Sequence, residues 1–155
     1  MSTVEVERVV EAPLDRVWAV FTDLSIRARL LTTVDGVEVV TRGPFGRGTM
    51  WRETRTAPDG TELTEEFQVI ECVPQRGFTV ASPGIGADYR FVYTFTPIEE
   101  GRHSGGTAVG VVLEGTPSDA KGRLVALVFG ALAARTVEGA LRRDLDDLAE
   151  EAERQ

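Results

Sequence analysis

The feature that most constrains the fold of this chain is its C-terminal run, residues 116–153. Apolar residues recur there at steps of three and four, which places one apolar stripe along an α-helix. The stripe consists of Leu124, Leu127, Val128, Ala131, Ala134, Val137, Leu141, Leu145, Leu148 and Ala152. Such a helix is about 55 Å long and cannot bury its stripe against itself, so the rest of the chain must cover it.

The start and the middle of this helix carry further signals. Thr116-Pro117-Ser118-Asp119 is typical of a helix N-terminus, because threonine caps, proline suits the first helical position and an acid follows. A helix longer than a small domain is wide should break or bend, and Gly130 and Gly139 are the expected places.

The preceding residues predict the sheet that covers the helix. Seven segments show the alternation, or the β-branched and aromatic composition, of strands. They are residues 4–11, 37–41, 49–57, 61–73, 78–81, 89–95 and 107–115. Because short loops join successive segments, we expect the strands to pair antiparallel.

Two helical segments separate the first two strands. The apolar residues after Pro13 recur at helical spacing, and a second short helix is predicted over 26–31, with Ser25 as its cap. The order of elements predicts an α+β fold in which one twisted seven-stranded antiparallel sheet holds the long helix in its concavity, with the two short helices closing one end. We expect residues 1–155 to form a single domain.

Composition and charge limit the possible partners. A net charge of −8 without basic clusters argues against nucleic acid or an anionic membrane as the main partner. Cys72 and His103 are each alone, so the sequence predicts no intrachain disulfide, no metal site and no cofactor, and Ser-His-Asp catalysis would depend on His103. With no signal peptide at its start and no apolar run long enough to span a bilayer, we expect a cytoplasmic protein that does not insert into membranes. Nothing in the sequence indicates an oligomeric state.

A glycine-rich segment, Gly-Pro-Phe-Gly-Arg-Gly at residues 43–48, joins predicted strands two and three. It lacks the lysine and the following helix that a phosphate-binding loop needs. We therefore predict a strand-to-strand loop with an exposed Phe45, a structure that is also compatible with a mobile lid over a pocket.

The turn signal at residues 58–60 indicates how strands three and four pair. A three-residue loop makes Trp51 face Phe67 on an inner face. A loop of two or four residues would shift the parity, placing Arg52 inside and Glu53 outside. The sequence leaves these alternatives open.

In the three-residue register, Glu53 faces Glu65 on the inner side of the sheet. Two carboxyl groups held close together share a proton, so that the pKa of one rises, and a general acid/base can be made in this way. Alternatively, the strand ends splay and both groups reach water, or an arginine such as Arg55 or Arg8 pairs with them. Arg8 shares the parity of the valines in strand one and is predicted to point inward or to pair at the end of the sheet.

An aromatic stripe runs along strand six, where Tyr89, Phe91, Tyr93 and Phe95 alternate with other residues. Two interpretations overlap. The rings pack in a core against the long helix, or they form a cavity wall whose tyrosine hydroxyl groups can bind a ligand oxygen.

Short motifs along the chain resemble those of one known superfamily. They are Val4-Glu5-Val6-Glu7-Arg8, Ala12-Pro13, Val17-Trp18, Gly48-Thr49, residues 71–74 and Gly106-Thr107. The chain resembles the START-like, or SRPBCC, superfamily, which has the helix-grip fold of the birch-pollen allergens, and within it the polyketide cyclase/dehydrase and lipid-transport group. After Asp23 it departs from the common pattern, since Ile26-Arg27-Ala28-Arg29-Leu30 stands where many relatives carry a tryptophan-containing segment.

The resemblance implies a deep, mostly apolar cavity between the sheet and the long helix that binds a small lipid-like, polyketide-like or aromatic molecule. The residues expected to contact this ligand are Phe45, Trp51, Phe67, Val69, Phe78, Tyr89, Phe91, Tyr93, Leu124 and Val128. A first alternative is a polyketide cyclase/dehydrase-type enzyme in which the pocket orients a reactive chain and Glu53, Glu65, Arg8 or a tyrosine moves protons. A second alternative is a protein-interaction module without a ligand.

Overall fold

The computed structural model of the protein describes residues 2–56, 59–83, 87–117 and 120–154, and their side chains except at positions 2, 87, 117 and 120–136. The strands are β1 (Ser2–Val10), β2 (Gly36–Val39), β3 (Met50–Thr56), β4 (Glu62–Val73), β5 (Gly77–Pro83), β6 (Ala87–Pro97) and β7 (Thr107–Pro117). The helices are α1 (Leu14–Phe21), α2 (Arg27–Leu30) and α3 (Ala120–Glu153). The element order is the one that the sequence predicted.

All seven of these strands belong to one antiparallel sheet, in the order β1-β7-β6-β5-β4-β3-β2. Because β1 and β2 lie at opposite edges, the chain between them must cross the sheet, and it does so through α1 and α2. The helix-grip arrangement predicted from the sequence is therefore confirmed. None of the described helices is long and apolar enough to cross a lipid bilayer.

The register of the β3–β4 hairpin is the one predicted from a three-residue turn. Trp51 faces Phe67, and Glu53 faces Glu65. Glu53 is fully buried on the inner face, whereas Arg52 is half-exposed on the outer face. The registers that would place Arg52 inside are therefore wrong.

The long helix α3 is continuous, so the expected break at Gly130 or Gly139 does not occur, and a bend at either glycine stays a prediction. A glycine inside a helix costs only about 1 kcal/mol relative to alanine. Burying the leucines that follow, such as Leu141 and Leu145, contributes about 1.5–3 kcal/mol for each side chain. Packing of the stripe against the sheet therefore outweighs the local helix-breaking signal.

The expected N-terminus of α3 is displaced. Thr116 and Pro117 belong to the end of β7, where they align with Asp88 and Ala87 of β6. The helix itself begins at Ala120, and the other two residues of the predicted cap, 118 and 119, lie outside the described residues. Long-range pairing with β6 therefore keeps Thr116 and Pro117 in the sheet.

The cap predicted for the second short helix, Ser25, does not occur. The N-cap position of α2 is Ile26, which makes no side-chain cap hydrogen bond, and the 3₁₀ turn Leu24–Ile26 that precedes α2 is capped by Asp23. The Asp23 carboxylate accepts a hydrogen bond of 3.0 Å from the backbone N–H of Ser25. An aspartate at this position satisfies a free N–H at the start of the turn.

The described core lies between the C-terminal half of α3, α1 and the inner face of the sheet. Leu145 and Leu148 are each 2% exposed, and Val109 of β7 is fully buried. Trp18 of α1 packs edge-on against Phe95 of β6, with ring centroids 5.1 Å apart. The helix stripe and the valines of the sheet therefore bury each other.

Candidate functional site

A pocket of about 160 Å³ lies between the inner face of the sheet, α1, α2 and the C-terminal half of α3. Its described apolar wall is formed by Phe21, Leu24, Phe45, Trp51, Phe67, Phe78, Val80, Phe91, Tyr93, Val137, Ala140 and Leu141. Its described charged wall is formed by Arg27, Glu53, Arg55, Glu65 and Asp144. Aromatic and charged groups thus share one small space.

Two arginines hold the buried carboxylate of Glu53. Arg27 Nε lies 2.7 Å from Glu53 Oε2, and Arg55 Nη2 lies 3.0 Å from Oε1. The indole N–H of Trp51 donates a further hydrogen bond of 2.8 Å to Oε2. Of the alternatives for this carboxylate, the structure shows the one in which an arginine, Arg55, pairs with it, and it adds Arg27.

These contacts determine the charge of Glu53. Burial by itself raises the pKa of this carboxyl, but the positive charge of Arg27 and the hydrogen bonds from Arg27 and Trp51 outweigh burial and hold the pKa below its ordinary value of 4.5. Glu53 is therefore ionised at neutral pH and does not share a proton with Glu65.

Arg55 connects the sheet to α3. Its Nη2 lies 3.3 Å from Asp144 Oδ2, and its Nε lies 3.2 Å from Glu65 Oε1. Its Nη1 donates to the hydroxyl of Thr33 at 2.6 Å, and that hydroxyl donates to Asp144 Oδ1 at 2.6 Å. Together with Glu53, these groups form a network that joins β3, β4, α3 and the loop after α2.

Glu65 behaves differently from the carboxyl that it faces. Burial raises the pKa of Glu65, Arg55 opposes that rise, and the negative charges of Glu53 and Asp144 add to it, so that the pKa lies above its ordinary value of 4.5. The Glu65 side chain is 42% exposed. Glu65 can therefore exchange a proton with solvent more readily than the buried Glu53.

Aromatic rings form the remainder of the wall. Tyr93 stacks on Phe78 with ring centroids 4.6 Å apart, and Trp51 stacks on Phe67 at 5.3 Å. Burial raises the pKa of Tyr93 to about 12, so its hydroxyl group stays neutral. The guanidinium carbon of Arg27 lies 5.7 Å from the centroid of the Trp51 ring.

Phe45 of the glycine-rich loop also belongs to this wall. Its ring lies 5.0 Å from that of Phe78, centroid to centroid, in an edge-on arrangement. The side chain is half-buried, so the prediction of an exposed Phe45 is wrong. The backbone of Gly43 and Gly48 has φ of +97° and +96°, a conformation that favours glycine and turns the loop back over the sheet.

The predicted ligand contacts fall into three groups. Those that line the pocket are Phe45, Trp51, Phe67, Phe78, Phe91 and Tyr93. Val69 is fully buried in the core, and Tyr89 is 36% exposed near the start of β6; neither lines the pocket. The side chains of Leu124 and Val128 lie outside the described residues.

Arg8 lies away from the pocket. Its Nε donates to Asp146 Oδ1 of α3 at 2.9 Å, and its Nη2 lies 3.9 Å from Glu153 Oε1. The Arg8 side chain points to the inner face of the sheet, as predicted. It contacts the acidic C-terminal end of α3 there and not the pocket, because β1 is an edge strand. The pairing at the end of the sheet is therefore confirmed, and Arg8 has no contact with the pocket.

Sequence reasoning missed two of the charged pocket residues, Arg27 and Asp144. Arg27 lies between Leu24 and Leu31 at steps of three and four, so it interrupts an apolar helix face. Asp144 interrupts the stripe of α3 in the same way, three residues after Leu141. A charged residue at an apolar position of a helix was the available signal for both.

Solved structures share this fold. TTHA0849 from Thermus thermophilus is 24% identical, with 97% of each chain covered and a TM-score of 0.77. Ara h 8.0201 is 13% identical over 97% of each chain, with a TM-score of 0.68. The di-domain ARO/CYC StfQ from the steffimycin biosynthetic pathway is 16% identical, with a TM-score of 0.80, and the match covers 97% of this chain and 50% of StfQ.

Comparison of the sequence with known sequences and family models identifies one family. No curated protein sequence matches the chain. A family model described as polyketide cyclase / dehydrase and lipid transport matches residues 1–153. Because that match extends over nearly the whole chain and agrees with the observed helix-grip fold, the protein belongs to the polyketide cyclase/dehydrase and lipid-transport family.

Proposed function

We propose that the protein binds a small apolar or aromatic molecule in the pocket between the sheet and α3, without chemistry of its own. The observation that carries the proposal is the pocket wall, which is mostly aromatic and aliphatic, with a few charged groups gathered in one network. This combination is typical of sites for small organic ligands. Membership of a family that includes lipid-transport proteins supports the same function.

The volume of the pocket limits how large a part of a ligand it can enclose. An apolar cavity of about 150 Å³ holds one benzene molecule, whereas sites for drug-sized ligands have about 300–1,000 Å³. The volume of about 160 Å³ therefore suits one ring with a short substituent. A sterol or a multi-ring polyketide would require a wall residue such as Phe45 to move.

Mass spectrometry of the purified protein, native and after solvent extraction, tests the proposal most directly. We expect a defined small molecule to co-purify, and its mass and fragments would name the chemical class. An empty protein whose melting temperature does not change with fatty acids, sterols, flavonoids or polyketide mimics would contradict the proposal and favour a protein-interaction module.

Filling the pocket should block binding. Ala140→Leu adds three carbons to the wall, so we expect the affinity for a one-ring ligand such as 4-ethylphenol to fall at least about tenfold, roughly 1.4 kcal/mol. Gly139→Ala is the matched control on the same helix, because no atom lies within 4 Å of the added Cβ. Equal affinities of the two variants in an NMR titration would show that the ligand does not enter this pocket.

One observation favours a second candidate function, an enzyme of the polyketide cyclase/dehydrase type. Glu65 has a raised pKa and lies 3.2 Å from Arg55 in the pocket, so it is a candidate general acid/base for proton transfer to or from a bound ligand.

Glu65→Gln separates the carrier from the enzyme. In a carrier, we expect the affinity for an uncharged ligand to stay within about threefold, since one neutral hydrogen bond contributes little net free energy. In an enzyme, turnover of a poly-β-ketone substrate should fall about 10²–10⁴-fold with binding retained. Unchanged turnover in the variant would exclude Glu65 as the acid.

A further inference from the structure

We infer that the pocket selects an uncharged aromatic ligand over a carboxylate of the same size. The inference rests on the proposed function and names the class of ligand for the same site. It starts from the charges of the described side chains in the wall, which are Arg27, Glu53, Arg55, Glu65 and Asp144.

Both guanidinium groups in this wall are already balanced by acids. Arg27 Nε lies 2.7 Å from a Glu53 oxygen, and Arg55 Nη2 lies 3.0 Å from Glu53 and 3.3 Å from Asp144. Two arginines thus face two carboxylates before Glu65 is counted. Among the described wall residues, no cation is left over for the charge of a ligand carboxylate.

Glu65 makes the position beside Arg55 still less favourable for an anion. Its Oε1 lies 3.2 Å from Arg55 Nε, so a ligand carboxylate that approached Arg55 would meet a third acid. Like charges held close together in a partly buried site repel each other more strongly than in water. An anionic ligand would have to bring a proton or displace Glu65, whereas a neutral ligand needs neither.

The rest of the described wall is apolar. Rings such as Phe67 and Phe91 line it, so they suit the aromatic part of an uncharged ligand.

A matched set of one-ring probes tests the inference at pH 7 by NMR titration. 4-Ethylbenzamide and 4-ethylbenzoate have nearly the same shape and differ in charge, and ethylbenzene lacks the oxygen. We expect the amide and ethylbenzene each to bind at least about tenfold more tightly than the carboxylate. A carboxylate that binds as tightly as the amide would overturn the inference.

Two neighbouring glutamates provide the variant and its control. Glu65→Gln removes the acid in the pocket, so the preference for the amide over the carboxylate should shrink to less than about threefold. Glu66→Gln makes the same change of net charge on the outer face, where Glu66 pairs with Arg52 at 2.9 Å, and should keep the preference. An equal change in both variants would attribute the preference to the charge of the whole protein and overturn the inference.

The same titrations distinguish failure of the inference from failure of the proposed function. If ethylbenzene and the amide bind to the wild-type protein but the carboxylate binds best, only the charge preference is wrong. If none of the three probes binds, the proposed function is contradicted, and the inference that rests on it falls as well.

Discussion

Replacing Glu53 with glutamine is expected to lower the free energy of unfolding by about 3–5 kcal/mol, because breaking a buried ion pair leaves an uncompensated charge. The Glu53 side chain is fully buried, and Arg27, which it contacts at 2.7 Å, is 10% exposed. Denaturant unfolding at pH 7 measures the loss. Glu66→Gln is the matched control on the outer face, and its effect should stay within about 1 kcal/mol.

The pH dependence of stability should change in the same variant. The pKa of Glu53 is lower in the folded protein than its ordinary value of 4.5, so its contribution to stability is complete above that value and is lost as the pH falls through the folded pKa. The difference in stability between the wild type and Glu53→Gln should therefore shrink below pH 4.5. A difference that stays constant through this range would contradict the assignment of a low pKa.

A double variant separates the ion pair from the packing around it. Arg27→Met combined with Glu53→Gln removes the cation that the single variant leaves uncompensated. Because replacing a buried pair with apolar or neutral groups is often nearly neutral, we expect the double variant to be more stable than Glu53→Gln alone. Strictly additive losses would mean that Arg27 and Glu53 do not interact.

Replacing Leu145 with alanine is expected to lower the free energy of unfolding by about 2–5 kcal/mol, since the change leaves a cavity in a packed core. Leu145 is 2% exposed on the stripe of α3 that faces the sheet. Thermal and denaturant unfolding both report the loss.

The control for this prediction is on the same helix. Arg143 is exposed on the other side of α3, so Arg143→Ala should change stability by no more than about 0.5 kcal/mol. If Leu145→Ala had an effect as small as that of Arg143→Ala, this would show that α3 does not pack against the sheet through Leu145 in solution.

Local sequence signals predicted much of the fold. Alternation along β3 and β4, with a turn at 58–60, allowed two registers, and the structure has the one in which Trp51 faces Phe67 and Glu53 faces Glu65. Because a strand repeats every two residues, the length of the turn determines which side chains face inward, and the sequence left that length open. The stripe of α3 was equally visible because it repeats at helical spacing.

Local signals misled where a distant element competed with them. Thr116 and Pro117 have the chemistry of a helix cap, yet they pair with β6, which the chain reaches much earlier. The glycines of α3 signalled a break, but packing of the helix against the sheet keeps it continuous. Both outcomes depend on contacts between residues that are far apart in the sequence, so a short segment of sequence does not indicate them.

By itself, the sequence determined the order of the elements, which follows from periodicity, and its local motifs resembled those of one family. It left the register of the β3–β4 hairpin open, and the structure places Glu53 on the inner face. Only the tertiary structure decided which charges meet. Arg27 reaches Glu53 across 26 residues of chain, and Arg55 reaches Asp144 across 89. Ionisation depends on such distances and on burial, so the sequence alone could decide neither the face on which Glu53 lies nor its charge.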